Sequence, residues 1–338
     1  MLFTKEMFDL TLRGAVSTYE DERGALCADR FTNAQREEIS KRVPAAPYHN
    51  AGMRFDFVTD AESIAMSFRI KRLTSRIFLS IDIFEDGVLT YSYIEKNTFD
   101  KRHGSFEYNF EKKGEKRITV YLPYSADLAF DVIELSGESF VRPYTEYSSY
   151  IYMMGDSITH GYDAEITSAS YANIVMRRLD ADGINQGAAG YVFCADSIDP
   201  ELFAGKRKPD IITVAYGTND WAHKTKDDFT RDTVAFFDRL CEIYEGIPIL
   251  CITPVFRAGY YIDTAAGNFA WAREFITESA KKHENVYVLD GDKLVPHVYD
   301  FFRDVRLHPN DAGFASYGAH VGDAVAHILG IRPKTFLI

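Results

Sequence analysis

The chain has 338 residues, of which 46% are hydrophobic and 26% charged, the balance of a soluble globular protein long enough for two domains. Its net charge of −12 is spread over both halves, with 20 basic and 24 acidic side chains in residues 1–150 and 18 and 26 in residues 151–338. Because no basic stripe is concentrated anywhere, the composition argues against a nucleic-acid partner or an anionic membrane surface and favours a neutral substrate.

The N-terminal stretch "MLFTKEMFDLTLRGAV" lacks the basic segment and continuous apolar run of a signal peptide. No part of the chain approaches the run of about 18 apolar residues that a membrane helix needs. We therefore expect a cytoplasmic protein without a membrane partner.

The first half of the chain consists of short runs in which apolar and polar residues alternate. Examples are "MRFDFV", "SIAMSFRI", "LTYSYIE" and "RITVYLP", each bounded by turn residues. Alternation with period two, repeated about every ten residues, is typical of antiparallel sandwiches. Only "NAQREEISKRV" has a helical pattern there. The sequence predicts an all-β sandwich domain over residues 1–145.

In the second half, strand-like and helical segments alternate. The apolar runs "YIYMMG", "DIITVAYG" and "IPILCITPV" are each followed by an amphipathic helical pattern. Uninterrupted apolar strands are typical of a parallel sheet covered by helices on both faces. The sequence predicts an α/β domain over residues 146–338, with the boundary near residues 140–149.

The first strand of this second domain ends in the turn "GDSITHG", which contains Ser157 between two glycines. Open parallel sheets bind ligands at the carboxyl ends of their strands, so Ser157 lies where a site is expected. The alternative is that Ser157 only caps the following helix. A phosphate-binding loop is disfavoured because neither GxxxxGK[ST] nor GxGxxG is present here.

Three later stretches add polar groups at comparable places. "INQGAAGYVF" contains Gly187 and Gly190, where a glycine can point a bare backbone N–H into a site; the alternative is an ordinary turn. "VAYGTNDW" ends a strand with Asn219, which is either an amide donor for a site or a helix cap or Asx-turn. "FFRDVRLHPNDAGF" places His308 after Asp304 and ahead of the last helix. A histidine with a nearby carboxylate is what general-base catalysis on a serine requires.

Together these residues supply a nucleophile, a base and donors for an oxyanion, which are the parts that acyl transfer needs. Two other classes of protein stay open at this point. A metal-dependent hydrolase would use Asp156, Asn219, Asp220 and His308 as ligands. A non-catalytic carbohydrate-binding protein would use the sandwich alone.

The blocks "GDSITHG", "NQGAAG", "GTND" and "HPND" resemble, in order, the four motifs of the SGNH (GDSL) hydrolase family over about residues 150–330. The resemblance implies a flavodoxin-like three-layer α/β/α fold. By motif position, it implies that Ser157 is the nucleophile and His308 the general base. It also implies an oxyanion hole formed by the N–H groups of Ser157 and Gly190 and the side-chain amide of Asn219.

One position departs from the family pattern. The family places its acid three residues before the histidine, where this chain has Val305, and Asp304 lies one residue earlier. We expect Asp304 to orient His308 through a loop that differs by one residue. The alternative is a Ser–His dyad in which the base rests on a backbone carbonyl.

A β-sandwich before an SGNH domain resembles the architecture of carbohydrate esterases with an N-terminal jelly-roll module. The resemblance implies a serine esterase that removes short acyl groups, above all acetyl, from a small-molecule or oligosaccharide ester. A lipase-type or thioesterase-type acyl hydrolase is the alternative. The sandwich itself is either structural, packing on the hydrolase or forming a homo-oligomer, or a substrate-binding module.

The remaining residue types point to no cofactor or metal. The four cysteines are scattered without CxxC spacing, so neither a zinc cluster nor a disulfide framework is predicted. Trp221, Tyr191 and Tyr162 lie beside the motif blocks. They either line an acyl or sugar pocket or pack in the core, and we favour the core.

Overall fold

The computed structural model describes residues 1–304 and 306–334. Its first part is built from antiparallel strands with two short α-helices. The strands are β1 (Leu12–Arg13), β2 (Ser17–Glu20), β3 (Leu26–Asp29), β4 (Arg54–Thr59), β5 (Ser63–Leu73), β6 (Leu79–Glu85), β7 (Val88–Glu95), β8 (His103–Asn109), β9 (Lys116–Tyr121), β10 (Ala126–Leu135) and β11 (Val141–Pro143). The helices are α1 (Lys5–Thr11) and α2 (Asn33–Ser40).

These strands form two sheets. One has the order β1-β4-β9-β6-β7, with β11 also paired to β4, and the other has the order β2-β3-β10-β5-β8. Alternate side chains of β4 and β5, such as Phe55, Phe57, Ile64, Met66 and Phe68, meet in one hydrophobic core between the sheets. The predicted sandwich is therefore confirmed, and its core explains the period-two pattern.

The sequence analysis missed helix α1. This helix has seven residues and is capped by Thr4, whose side chain accepts a hydrogen bond from Met7 N. Two turns are too short for a 3.6-residue period to stand out from the surrounding strand pattern. The one helix that the sequence predicted in this part, "NAQREEISKRV", corresponds to α2.

The second part is a five-stranded parallel sheet with helices between the strands. The strands are β12 (Ser149–Gly155), β13 (Ala181–Gly187), β14 (Ile211–Ala215), β15 (Ile249–Ile252) and β16 (Val286–Leu289). The helices are α3 (Ser157–His160), α4 (Tyr171–Leu179), α5 (Thr218–His223), α6 (Lys226–Ile243), α7 (Phe269–Ala280) and α8 (Asp311–Leu329). The strand order, β13-β12-β14-β15-β16, is the flavodoxin-like order.

Helices cover both faces of this sheet, as the apolar strands predicted. Ile151 and Met153 of β12 pack in a cluster with side chains of α4 and α8. Tyr152 and Met154, which point to the opposite face, pack with side chains of α6 and α7. The three-layer α/β/α fold is confirmed, because both faces of the central strand are buried in separate cores.

The central strands end at one edge of the sheet. Gly155 is in register with Gly187 of β13 and Ala215 of β14, so the segments that follow these three residues start side by side. These are the segments that contain Ser157, Gly190 and Asn219. Parallel pairing therefore brings three of the four motif blocks together.

Strand β11 ends at Pro143 and β12 begins at Ser149, on either side of the predicted boundary at residues 145 and 146. That division, and the jelly-roll path of the sandwich, stay predictions. No helix within the described residues is long and apolar enough to span a membrane.

Candidate active site

Ser157 is the first residue of α3, directly after β12. Asp156, not Ser157, is the N-cap of this helix, since its side chain accepts a hydrogen bond from Ile158 N at 3.0 Å. The interpretation of Ser157 as a helix cap is therefore wrong. A side chain at Gly155 would place its Cβ 2.0 Å from Thr159 Oγ1, so the turn that presents Ser157 requires glycine at this position.

Ser157 faces His308, although 151 residues separate them in the sequence. His308 Nε2 lies 2.8 Å from Ser157 Oγ, and His308 Nδ1 lies 2.7 Å from Asp304 Oδ2. The serine and the carboxylate thus contact opposite nitrogens of one imidazole. This is the arrangement of nucleophile, base and orienting acid in serine hydrolases.

The one-residue departure from D-x-x-H is accommodated by the loop that carries Asp304. Asp304 Oδ1 accepts hydrogen bonds from the backbone N–H groups of Arg306, Leu307 and His308, at 3.0, 2.9 and 3.1 Å. The loop therefore folds around the carboxylate and leaves Oδ2 free to meet the imidazole. Val305, where the family has its acid, lies outside the described residues.

These contacts keep Asp304 ionised. Partial burial by itself would raise the pKa of Asp304, but the hydrogen bonds from His308, Leu307 and Arg306 lower it well below its ordinary range. An ionised carboxylate only accepts hydrogen bonds, so the proton of neutral His308 lies on Nδ1. Nε2 is then the acceptor for the hydroxyl of Ser157.

The predicted oxyanion donors lie in neighbouring segments. Gly190 adopts the left-handed conformation, with φ of +81°, in the loop after β13. Within the described residues, no backbone acceptor takes the N–H of Gly190. Asn219, on the first turn of α5, donates from Nδ2 to the carbonyl of Tyr191 at 3.0 Å. This bond ties the amide of Asn219 to the loop of Gly190.

Arg30 of the sandwich and His160 of α3 hold the end of β13 and the loop after it, and neither contact was predicted from the sequence. Arg30, which is fully buried after β3, donates from Nη1 to the carbonyls of Asn185 and Gly187 at 2.8 and 2.7 Å. His160 Nδ1 accepts from Ala189 N at 3.2 Å. Burial holds the pKa of His160 well below its ordinary value, so its ring is neutral and can accept that bond. Nothing in the spacing of these residues indicated the contacts.

A second carboxylate also approaches the imidazole. Asp163 Oδ2 lies 3.3 Å from His308 Nδ1, on the side away from Ser157. Arg76, in the loop between β5 and β6, binds both oxygens of Asp163, at 2.5 and 2.6 Å. Neither residue was predicted from the sequence, although Asp163 follows Ser157 by only six positions.

The four residues predicted for the metal alternative do not form a site. The carboxylate of Asp220 accepts a hydrogen bond from Phe193 N and forms an ion pair with Lys224. Asp156 is used as a helix cap, and burial raises its pKa to about 7. A half-neutral carboxyl and one already paired with an ammonium group are poor ligands for a cation.

A different trio, Asp163, Asp304 and His308, has its ligand atoms within 4.8 Å of one another. Its donor set does not favour a metal either. Arg76 occupies both oxygens of Asp163, and a fixed guanidinium repels a divalent ion at this distance. The remaining oxygen of Asp304 is taken by backbone N–H groups.

The core interpretation holds for two of the three flanking aromatic residues. Tyr191 and Trp221 are 2% and 3% exposed and pack in the core on one face of the parallel sheet. Tyr162 is half-buried, and its ring lies 5.8 Å from the ring of His308. Of the three, Tyr162 is therefore the one whose ring borders the imidazole of His308.

Comparison with known proteins agrees with this geometry. Residues 153–315 match the GDSL-like lipase/acylhydrolase family. No match is found among curated proteins.

Three solved structures show the same two-part architecture. The salicylyl-acyltransferase SsfX3 from a tetracycline biosynthetic pathway is 22% identical, with a TM-score of 0.74 over 95% of this chain and 96% of that one. A protein from Bacteroides ovatus assigned to the GDSL-like lipases is 21% identical, with a TM-score of 0.76 over 99% of both chains. The acetyl xylan esterase Est2A from Butyrivibrio proteoclasticus is 15% identical, with a TM-score of 0.62 over 95% and 96%. At these identities the likeness shows a shared fold.

Proposed function

We propose a short-chain acyl ester of a carbohydrate as the substrate of this protein, a carboxylic ester hydrolase whose residues 153–315 match the GDSL-like lipase/acylhydrolase family. We propose further that catalysis uses Ser157, His308 and Asp304 and passes through an acyl-enzyme. The observation that carries the mechanism is the unbroken chain from Ser157 Oγ through His308 to Asp304, at 2.8 and 2.7 Å.

In the first step, Ser157 Oγ attacks the carbonyl carbon of the ester while its proton moves to His308 Nε2. The ring becomes an imidazolium, whose Nδ1–H donates to the ionised Asp304. Collapse of the tetrahedral intermediate breaks the bond to the alcohol, and His308 returns the proton to that leaving group. The acyl group then remains on Ser157.

In the second step, His308 takes a proton from water as that water attacks the acyl-enzyme. Collapse of the second tetrahedral intermediate breaks the bond to Ser157 Oγ, which receives the proton back from His308, and the carboxylic acid leaves. Both steps place negative charge on the former carbonyl oxygen. We assign its stabilisation to the N–H groups of Ser157 and Gly190 and to the amide of Asn219. Each such donor is worth about 3–4 kcal/mol in comparable sites.

Two observations support a carbohydrate ester. One of the structural neighbours is an acetyl xylan esterase. In addition, Tyr260, Tyr261 and Tyr299 are 51%, 78% and 61% exposed. The loop of Tyr260 and Tyr261 is joined to the loop of His308 by the bond from Ala258 N to Arg306 O. Exposed tyrosine rings offer a flat apolar face with a polar edge, which suits a sugar ring.

Hydrolysis of p-nitrophenyl acetate by the full chain tests the reaction. We expect Ser157→Ala to lower kcat by about 10⁴-fold or more. Ser105→Ala, at an exposed serine of β8, is the matched control and should retain activity. EDTA should leave the rate unchanged, because no step uses a metal.

Acetylated xylo-, manno- and amino-sugar oligomers then test the substrate class, with p-nitrophenyl esters of longer chains for comparison. We expect kcat/KM to fall as the acyl chain lengthens and to be highest on an acetylated oligosaccharide. A fully active Ser157→Ala protein would refute the mechanism. A preference for long acyl chains would instead support the lipase-type alternative.

A further inference from the structure

The carboxylate of Asp163 has no part in the mechanism above, yet it lies beside the catalytic base. Its side chain is only 5% exposed, and Oδ2 is 3.3 Å from His308 Nδ1. That nitrogen carries a single hydrogen, which Asp304 already accepts at 2.7 Å. Two carboxylates therefore approach one N–H, an arrangement in which like charges repel unless a cation compensates.

Arg76 of the sandwich supplies that cation. It donates from Nε and Nη2 to the two oxygens of Asp163, the parallel geometry that gives the strongest arginine–carboxylate pairs. Its guanidinium also lies 5.0 Å from the centre of the Tyr162 ring, and that ring is 5.8 Å from His308. Arg76 is thus held in place from two directions, by Asp163 and by the ring of Tyr162.

The pair has a defined electrostatic effect on His308. An unpaired Asp163 would attract the imidazolium and compete with Asp304 for the orientation of the ring. With Arg76 bound, the two charges of the pair largely cancel, so Asp304 is the one uncompensated anion at Nδ1. The ring then keeps its alignment between Asp304 and Ser157.

We infer that Arg76 and Asp163 are positioning residues for His308, through which the sandwich domain sets the orientation and the protonation range of the general base. This inference rests on the proposed function only for its activity assay. It gives the sandwich a role in the chemistry, beyond packing on the hydrolase or binding substrate.

Other groups also act on His308 or its immediate surroundings and are unchanged in the kinetic test below. The hydroxyl of Ser157 contacts Nε2. The buried Asp156 and the guanidinium of Arg257 act on the same site at longer range.

The test is the pH dependence of kcat/KM for p-nitrophenyl acetate in four proteins: wild type, Arg76→Met, Asp163→Asn and the double variant. Arg76→Met leaves an uncompensated anion beside Nδ1, which should move the acidic limb to higher pH by roughly one unit. Asp163→Asn leaves an uncompensated guanidinium and should move the limb to lower pH. The double variant removes both charges and should return the limb close to its wild-type position.

Opposite shifts and their cancellation separate this role from a structural one, because a distorted site would lose kcat without such a pattern. Arg72→Met is the matched control, since Arg72 also lies on the sandwich and pairs with an aspartate, Asp127, at 2.7 Å. It should leave the acidic limb in place. Unchanged limbs in both single variants, or a double variant that is not restored, would overturn the inference.

NMR titration of the His308 ring in the Ser157→Ala background gives a readout that needs no turnover. The ring resonance is assigned by its loss in His308→Gln, and the same pair of opposite shifts is expected for Arg76→Met and Asp163→Asn. If the protein proves inactive on every ester while these shifts appear, the proposed function fails and the inference stands. If turnover is normal and the ring does not respond, the inference fails alone.

Discussion

Replacing Asp304 by asparagine should abolish most of the activity while preserving the loop that carries it. Three of the four hydrogen bonds that the carboxylate accepts go to Oδ1, from the N–H groups of Arg306, Leu307 and His308. An asparagine oxygen retains them. Its NH₂ group then replaces Oδ2 at 2.7 Å from His308 Nδ1. Because that group only donates, the ring must take the tautomer with hydrogen on Nε2.

The wrong tautomer cannot accept the proton of Ser157. In serine hydrolases a substitution of this kind lowers kcat by about 10⁴-fold, which corresponds to about 5 kcal/mol of activation free energy. The loss of one charge-assisted hydrogen bond should lower the free energy of unfolding by only about 1.5–3 kcal/mol. Asp163 is not expected to compensate, since Arg76 already engages both of its oxygens.

Steady-state kinetics with p-nitrophenyl acetate measure the effect, and circular dichroism and thermal melting verify that the variant is folded. Asp300→Asn is the matched control, because Asp300 is an exposed aspartate of the same loop region. If Asp304→Asn keeps kcat within about tenfold of wild type, Asp304 does not orient the base. The dyad, with His308 acting without a carboxylate, would then be the better description.

Two further predictions concern the neighbours of Ser157. Asn219→Ala should lower kcat by about 10²–10³-fold with little change in KM, because an oxyanion donor stabilises the transition state. A raised KM with a normal kcat would instead indicate that Asn219 binds substrate. Asp156→Asn should change how stability depends on pH, because burial raises the pKa of Asp156 from 3.8 to about 7. The unfolded chain loses that proton at lower pH than the folded protein does. The free energy of unfolding of the wild type should therefore fall relative to that of Asp156→Asn as the pH rises from about 4 to about 7, by of order 1 kcal/mol or more. Above about pH 7 the difference should stay constant. Urea unfolding of both proteins at about pH 5 and about pH 8 measures the difference, and a constant difference would contradict it.

The sequence sufficed for the parts of this protein that depend on local pattern. Period-two alternation predicted the strands of the sandwich, and uninterrupted apolar runs predicted the parallel strands. The last helix, expected after His308, extends from Asp311 to Leu329. Ser157, Gly190 and Asn219 were identified because each follows a strand, and parallel strands end at one edge.

The position of the acid was harder to predict. Residue spacing alone left open whether Asp304 reaches His308, because the answer depends on the path of four residues. In the structure the backbone N–H groups of that loop turn toward Oδ1, and this leaves Oδ2 directed at the imidazole. Such a path is set by hydrogen bonds that the order of residue types does not specify.

The amino-acid sequence by itself determined the two kinds of fold and the residues of the candidate catalytic centre, since these follow from short-range periodicity and from motifs at strand ends. Only the tertiary structure decided what surrounds that centre. Arg76 meets Asp163 across 87 positions, and Arg30 meets Gly187 across 157. Neither contact follows from the spacing of residues in the sequence. Each forms only when the sandwich and the α/β part pack against each other, which places a buried charge beside its partner.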